Sequence, residues 1–258
     1  MNQRSALAKV EDRTDMNLLK KLGGILYFIY QWLIYIPIMA VVMVLTALIT
    51  MLMCAFFNDR VWGFYPAKVW ARLMCYLAFV RVKVVGHENI DKSQSYVFVA
   101  NHQSMFDIYA IYGWLNVPFK WIMKKELETI PFVGKACKSA GHIFISRGQT
   151  KVAMSCMEEA KRKLTNGLSV VIFPEGSRTF TGEVGSFKRG AFQIATDLQL
   201  PIIPVTIKGA FDVMRRGTFR QRPGKIELII HKKIDTSTYT NNQNELMQMV
   251  RKEIVDDI

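Results

Sequence analysis

The sequence is poor in cysteine, and its four cysteines do not form a pattern that binds a metal. Cys54, Cys75, Cys137 and Cys156 include no CxxC pair and no neighbouring histidine at metal-ligand spacing. We therefore expect no metal site and no disulfide framework. The sequence also lacks a GxSxG motif, so a serine nucleophile on a strand-to-helix elbow is not expected.

Charged residues are absent from a long segment near the start of the chain, residues 22–57. As one α-helix, these 36 residues would extend about 54 Å, whereas the hydrocarbon core of a bilayer is about 30 Å thick. We expect a break at Pro37 and two helices embedded in one leaflet; the alternative is a single tilted span over about residues 33–57. The length of the run, and the roughly twenty polar residues before it, argue against a cleaved signal peptide.

Basic residues outnumber acidic ones, with 34 Lys and Arg against 21 Asp and Glu and a formal net charge of +13. Basic residues flank the apolar run on both sides, as expected when both flanks face the cytoplasm. The excess of positive charge suits an anionic membrane surface or a phosphorylated substrate. The apolar run and its basic flanks predict a membrane protein whose larger domain lies on the cytoplasmic face. No nucleic-acid-binding motif is present, so we expect no nucleic-acid partner.

The remaining chain alternates between strand-like and helix-like segments, which predicts an α/β fold with a mixed, largely parallel sheet flanked by helices. We divide the chain into residues 1–79, a tail with membrane-embedded and interfacial helices, and residues 80–258, a second domain. Spacing alone allows residues 62–79 to be either an amphipathic helix at the membrane interface or a helix packed in the core. Strands are predicted at 81–86, 96–100, 119–123, 141–146, 169–173, 201–207 and 225–230, and helices from about 149 to 166, at 189–198 and from about 242.

The segment NHQSMFD, residues 101–107, places a histidine and an aspartate five residues apart directly after a buried strand. Five helical residues turn through roughly 500°, so His102 and Asp107 would face different directions if both lay within one helix. They can meet if His102 lies on a turn and a helix begins near Gln103 or Ser104. The aspartate would then fix the imidazole tautomer and leave the other ring nitrogen to accept a proton. Alone, the pair could also be an ordinary surface histidine and a helix-dipole aspartate.

A second group of polar residues follows the next strongly apolar strand, in the segment FPEGSR at residues 173–178. Pro174 and Gly176 predict a tight turn that presents Glu175 and Arg178 at the end of a strand. Ligands of α/β proteins commonly bind at such strand ends, and arginine is suited to a bidentate contact with phosphate. A solvated surface turn is the alternative for this segment taken alone.

Several more cations follow other predicted strands. Lys124 directly follows the strand predicted at 119–123, and Arg147 follows the strand in GHIFISR. Lys188 and Arg189 lie near the start of a predicted helix, where backbone N–H groups also attract anions. This arrangement predicts a phosphate site beside the histidine.

The motifs NHxxxxD, KKELxxxPxxG with GxIFIxR, FPEGSR and PIIPV occur in this order over about residues 80–210. Together they resemble the four-motif signature of the PlsC-type glycerolipid acyltransferases, the 1-acylglycerol-3-phosphate acyltransferases. The resemblance implies the glycerolipid acyltransferase fold, with His102 as the general base and Asp107 as its orienting carboxylate. Two departures are mild, since the family often has Asp at position 146 and Thr at 177 where this chain has Ser146 and Ser177.

The same resemblance implies which residues bind the phosphate of the acceptor. It also implies that the Pro204 motif lies near the acyl donor or the catalytic cleft. The resemblance implies the phosphate-binding role for Lys124, Arg147, Glu175 and Arg178. We also expect Gly176, Ser177 and Lys188 to bind the substrate. The expected reaction acylates the sn-2 hydroxyl of 1-acyl-glycerol-3-phosphate to give phosphatidic acid, with acyl-CoA or acyl carrier protein as donor substrate and no cofactor. Alternatives are an acyltransferase for another lysolipid, or a non-catalytic protein that binds anionic lipid. The sequence does not indicate an oligomeric state.

Overall fold

The fold is a seven-stranded, mostly parallel sheet covered by helices on both faces, in a computed structural model that describes residues 16, 18–19, 21–145, 167–239 and 242–258. The strand order is β1-β7-β6-β2-β5-β3-β4, and β6 with β7 is the antiparallel pair. This confirms the predicted fold class. The strands are β1 Val80–Val85, β2 Val97–Ala100, β3 Phe119–Lys124, β4 Ile143–Ile145, β5 Ser169–Ile172, β6 Ile202–Lys208 and β7 Gly224–Ile230.

Among the described residues, three helices precede β1, four lie between strands and one follows β7, and together they cover the two faces of the sheet. They are α1 Lys21–Phe56, α2 Asp59–Trp62, α3 Tyr65–Leu77, α4 Phe106–Trp114, α5 Val133–Ser139, α6 Gly190–Asp197, α7 Ala210–Val213 and α8 Gln243–Asp256. The helix predicted from about residue 149 lies outside the described residues.

The central strand β2 is buried on both faces because its side chains alternate between two separate apolar clusters. Phe98 and Ala100 pack with residues of α3 and α4, while Val97 and Val99 pack with residues of α6 and α8. All four side chains of β2 are fully buried. The strands β2 to β6 all run in one direction, so the loops that follow them meet at one edge of the sheet, which we call the site edge.

The apolar segment forms one continuous helix, α1, so the predicted break at Pro37 is wrong. The helix accommodates the proline by a short π-helical segment, Gln31–Tyr35, directly before it. There the N–H of Ile36 donates to the carbonyl of Gln31, five residues earlier, instead of four. Such a π-bulge shifts the register around the missing proline N–H, so the chain stays helical where a sharp break is otherwise expected.

One side of α1 packs along the domain, while much of its surface is exposed and apolar. The hydroxyls of Tyr27 and Tyr30 donate to the carbonyls of Ala78 and Leu77, at 3.0 and 2.8 Å, and Tyr35 is fully buried in the core. The helix is long and apolar enough to cross a membrane, and only 11% of its most apolar window is buried. These properties indicate association with a membrane.

Helix α3 packs in the core, which is one of the two alternatives that the sequence left open for residues 62–79. Ala71, Met74 and Cys75 are buried in the core against the sheet and α4. Val69 and Tyr76 on the same helix are exposed. The helix is therefore amphipathic and packs in the core through its apolar face.

Candidate active site

Two of the loops at the site edge bring the first and third sequence motifs together. Strands β2 and β5 are parallel neighbours, with Val97 opposite Val170 and Val99 opposite Ile172. The segments that follow these strands, 101–105 and 173–178, therefore begin side by side. The N–H of Thr179 also donates to the carbonyl of His102 at 3.0 Å, which joins the two loops directly.

The histidine and aspartate of the first motif are in contact, as their spacing predicts. His102 Nδ1 lies 2.9 Å from Asp107 Oδ2. The same oxygen accepts the N–H groups of Gln103 and Ser104, at 2.6 and 2.7 Å, so one carboxylate closes the turn and orients the ring. Helix α4 begins at Phe106, slightly later than predicted, because the turn occupies residues 101–105. Asp107 is fully buried in its first turn, where the helix dipole also favours a carboxylate.

The imidazole of His102 is held between this carboxylate and an aromatic stack. Its ring lies parallel to Phe173, with centroids 3.9 Å apart and an interplanar angle of 7°. Phe173 in turn stacks on Trp121, with centroids 5.3 Å apart. Because Nδ1 donates to Asp107, Nε2 is the nitrogen that can take a proton from a substrate. The His102 side chain is 14% exposed, so a substrate can reach it.

The loop that carries His102 is fixed at both ends by buried polar side chains. Asn101 forms two hydrogen bonds with β6, donating to the carbonyl of Ile207 at 2.9 Å and accepting its N–H at 2.8 Å. The hydroxyl of Ser104 donates to the carbonyl of Met214 at 2.7 Å. Both side chains are fully buried, so the turn is held by bonds that water does not compete for.

Glu175 is buried and uses both carboxylate oxygens to hold backbone N–H groups. One oxygen accepts the N–H of His102 at 2.7 Å, and the other accepts the N–H of Gly185 at 2.8 Å. Burial raises the pKa of this carboxyl, and the two N–H donors partly offset the rise. The carboxylate therefore ties the histidine turn to the loop that follows the third motif.

Lys188 lies over the turn formed by the third motif. Gly176 has a left-handed φ of +71°, and a Cβ built there would lie 2.6 Å from Lys188 Nζ. The N–H of Lys188 donates to the carbonyl of Pro174 at 3.0 Å, which explains why the two segments stay together. Glycine at 176 thus allows both the turn and the close approach of an ammonium group to the backbone.

Ser177 is exposed and Arg178 is half-buried at the end of this turn. The carbonyl of Arg178 accepts a hydrogen bond from the Arg216 guanidinium, which itself lies 4.0 Å from the centroid of Phe180. Arg216 therefore supports the backbone of the third motif from a neighbouring loop. A half-buried guanidinium can bind an anion more strongly than a fully solvated surface arginine.

The remaining predicted residues come from the second motif. Lys124 ends β3, the neighbour of β5, and is half-buried at the site edge. Arg147 lies outside the described residues. Within the described part of the chain, no cluster of three His, Cys, Asp or Glu side chains could hold a metal ion.

The chain is similar in sequence to known acyltransferases. Residues 81–208 match the model of the Acyltransferase family. A 1-acyl-sn-glycerol-3-phosphate acyltransferase of Chlamydomonas reinhardtii is 30% identical over 93% of this chain and 71% of its own length. This chain belongs to the 1-acyl-sn-glycerol-3-phosphate acyltransferase family. It is therefore a member of an enzyme family, as the order of its four motifs predicts.

Further members of the family support the assignment. A chloroplastic member from Arabidopsis thaliana is 35% identical over 67% of this chain, and the alpha member from Homo sapiens is 37% identical over 64%. The chain spans 49% and 59% of the lengths of these two relatives. The crystal structure of the lysophosphatidic acid acyltransferase PlsC from Thermotoga maritima has a TM-score of 0.75 and 29% identity, covering 92% of this chain and 95% of that one.

Sequence reasoning missed three residues that shape the site in the structure. Phe173 stacks on His102, Gly185 donates to Glu175, and Arg216 supports Arg178. Phe173 could have been noticed, because it is the first residue of the third motif and directly follows β5, the strand that pairs with β2. Gly185 and Arg216 carry no local signal, since their contacts depend on how two loops fold back onto the site edge.

Proposed function

We propose that this acyltransferase transfers a fatty acyl group from a thioester to the sn-2 hydroxyl of 1-acyl-glycerol-3-phosphate, giving phosphatidic acid. The observation that carries the proposal is the 2.9 Å contact between His102 Nδ1 and Asp107 Oδ2, on a turn that is hydrogen-bonded to the loop that carries Arg178. The names of the relatives support it, since each is described as an acyltransferase for this lysolipid. A base of this kind deprotonates a hydroxyl rather than binding lipid passively.

The proposed step is a direct transfer without an acyl-enzyme. The acceptor hydroxyl attacks the thioester carbonyl while His102 Nε2 takes its proton, and the negative charge of Asp107 stabilises the imidazolium that forms. The carbon–sulfur bond then breaks, and the imidazolium returns the proton to the departing thiolate. The step involves no oxidation or reduction, and the thioester donor supplies the acyl group. The reaction therefore needs no cofactor.

Cations of the site edge would hold the phosphate of the acceptor and so position its hydroxyl beside His102. We assign this role to Arg178 and Lys188, which lie next to the third motif, and to Lys124 and Arg147 from the second. Gly176 and the exposed Ser177 would let the phosphate approach the turn closely. Glu175 would act through the loops it ties together, because its carboxylate is occupied by two backbone N–H groups.

The acyl donor would be acyl-CoA or acyl carrier protein, and the acceptor would reach the site from the membrane. We propose that α1 anchors the chain in the bilayer and that the domain of residues 80–258 lies on the cytoplasmic face. The excess of basic residues after the apolar run, in the part of the chain that holds this domain, supports this orientation. A site at the bilayer surface would meet a lysolipid without extracting it into water.

The test is an acyl-transfer assay of the purified full chain in mixed micelles, with acyl-CoA and acyl carrier protein donors measured separately. We expect phosphatidic acid to form from 1-acyl-glycerol-3-phosphate, and a monoacylglycerol, which lacks the phosphate, to react far more slowly. Equal rates with both acceptors would contradict the phosphate-binding role. Binding of anionic lipid with no acyl transfer from either donor would replace the proposal by a non-catalytic function.

A further inference from the structure

A loop rich in arginine, residues 215–222, lies at the same edge of the sheet as the proposed active site. It connects α7, which follows β6, to the start of β7. The antiparallel pairing of β6 with β7 places this loop at the site edge, where it contacts the third motif through Arg216. We call this segment the arginine loop. Its four arginines are Arg215, Arg216, Arg220 and Arg222.

Large apolar side chains are exposed among these arginines. Phe219, at the tip of the loop, is 75% exposed, and Phe180 of the adjacent loop is 68% exposed. Arg216 lies over the Phe180 ring at 4.0 Å, so the cation and the ring are presented together. Arg220 and Arg222 on either side of the loop are exposed as well. Exposed phenylalanines interleaved with arginines are typical of surfaces that contact lipid headgroups.

The arginine loop is fastened to the apolar helix α1 by one buried amide. Gln31 is fully buried within the apolar run. Its Nε2 donates to the carbonyl of Phe219, and its Oε1 accepts the N–H of Gln221 at 3.0 Å. Both ends of this amide are therefore used to hold the loop beside the helix. The phenylalanine at the loop tip consequently lies next to the segment that is long and apolar enough to cross a membrane.

We propose that the arginine loop is a second membrane contact, in which Phe219 enters the interface of an anionic bilayer and Arg220 and Arg222 bind lipid phosphates. Guanidinium groups pair with phosphate in a bidentate geometry, and each basic residue near an anionic surface is favoured. The contact would hold the site edge against the bilayer. It goes beyond the proposed reaction, because it concerns lipids that are not substrates and requires no acyl donor.

An acidic protein could also bind a surface with this charge, but two observations favour the bilayer. Phe219 is exposed in the middle of the charged segment, and Gln31 fixes the loop to α1 rather than to the soluble face of the domain. A partner protein that bound the arginine loop would compete for the loop's surface with the bilayer that surrounds α1. Binding of such a partner is therefore an outcome that would count against the proposal.

The test places the photo-crosslinker p-benzoylphenylalanine at position 219 of the full chain in nanodiscs. One set of discs contains phosphatidylcholine alone, and the other contains phosphatidylcholine with phosphatidylglycerol. We expect lipid adducts in both, with a higher yield in the anionic discs. Arg220→Gln with Arg222→Gln should lower the yield in anionic discs toward that in neutral discs, by up to about 25-fold, since each of the two arginines near an anionic surface contributes about fivefold.

A matched control removes two exposed cations from the opposite edge of the sheet, Lys232→Gln with Lys233→Gln, and should leave the yield unchanged. Thermal unfolding in detergent should show all variants folded, because the substituted side chains are exposed. Equal yields in both discs with no effect of the arginine pair would overturn the proposal. So would adducts to added acyl carrier protein in place of lipid. Acyl transfer is measured separately in micelles, so either result leaves the proposed reaction to be judged independently.

Discussion

Asp107→Asn should keep the hydrogen bond that orients the His102 ring and remove the negative charge that stabilises its imidazolium form. The amide oxygen can still accept His102 Nδ1–H and the N–H groups of Gln103 and Ser104, so the turn should keep its shape. The amide nitrogen takes the place of Oδ1, which is buried without a hydrogen-bond partner among the described residues. That unpaired donor costs about 1–3 kcal/mol, and removal of a buried negative charge offsets part of this cost.

The catalytic loss follows from the distance between the two side chains. At 2.9 Å, a carboxylate and an imidazolium attract each other by about 6 kcal/mol at an effective dielectric constant of about 20. A net charge-assisted hydrogen bond measured by mutation contributes about 1.5–3 kcal/mol. Because the imidazolium forms only as the hydroxyl reacts, this loss falls on kcat. These two energies bracket an expected decrease of about 10- to 10⁴-fold, with the KM for lysophosphatidic acid changed by less than about twofold.

The assay follows thiol release from acyl-CoA, with phosphatidic acid confirmed by mass spectrometry. Asp91→Asn is the matched control, because Asp91 also accepts a backbone N–H, from Ser93, but lies at the opposite edge of the sheet. It should leave kcat unchanged. A decrease of less than about tenfold for Asp107→Asn in a folded protein would refute the idea that this carboxylate supports a charged intermediate.

Three further substitutions test other parts of the account. In Glu175→Gln, the side-chain NH2 faces one of the two backbone N–H groups and cannot accept its hydrogen bond. The free energy of unfolding should therefore fall by about 1–3 kcal/mol, and kcat should fall more than KM rises. Unchanged thermal unfolding would contradict this. Arg178→Ala should raise the KM for lysophosphatidic acid about tenfold or more and spare a phosphate-free acceptor, whereas equal effects on both would remove Arg178 from the phosphate site. Burial lowers the pKa of His231 below its ordinary value of 6.5. Below that pH the unfolded chain therefore binds a proton at His231 more readily than the folded chain does, and the free energy of unfolding falls as the pH drops. His231→Gln should reduce this fall in the thermal unfolding temperature between about pH 7.5 and pH 5.5, and an identical fall would be evidence against it.

Much of the fold was predictable because its signals are local. The alternation of apolar strands with helices indicated a largely parallel sheet, and the spacing of His102 and Asp107 required a turn between them. The parallel sheet then places the ends of β2 and β5 side by side, so the meeting of the first and third motifs follows from the topology.

Other features could not be predicted because they depend on distant parts of the chain. Both donors to Glu175 come from separate loops, and its role depends on how residues 176–185 fold back. The contact of Gln31 with the arginine loop joins residues about 190 positions apart. Pro37 was expected to break α1, and the π-helical segment that absorbs it has no clear sequence signal.

The most direct test of the central claim is single-turnover acyl transfer by the wild-type chain and His102→Ala, with a radiolabelled acyl-CoA donor and lysophosphatidic acid. We expect label in phosphatidic acid with the wild-type chain, no label on the protein, and loss of transfer in a His102→Ala variant that still folds and binds vesicles. Near-normal transfer by His102→Ala, or an acylated protein that carries the label to the acceptor, would contradict a histidine base acting in a direct transfer.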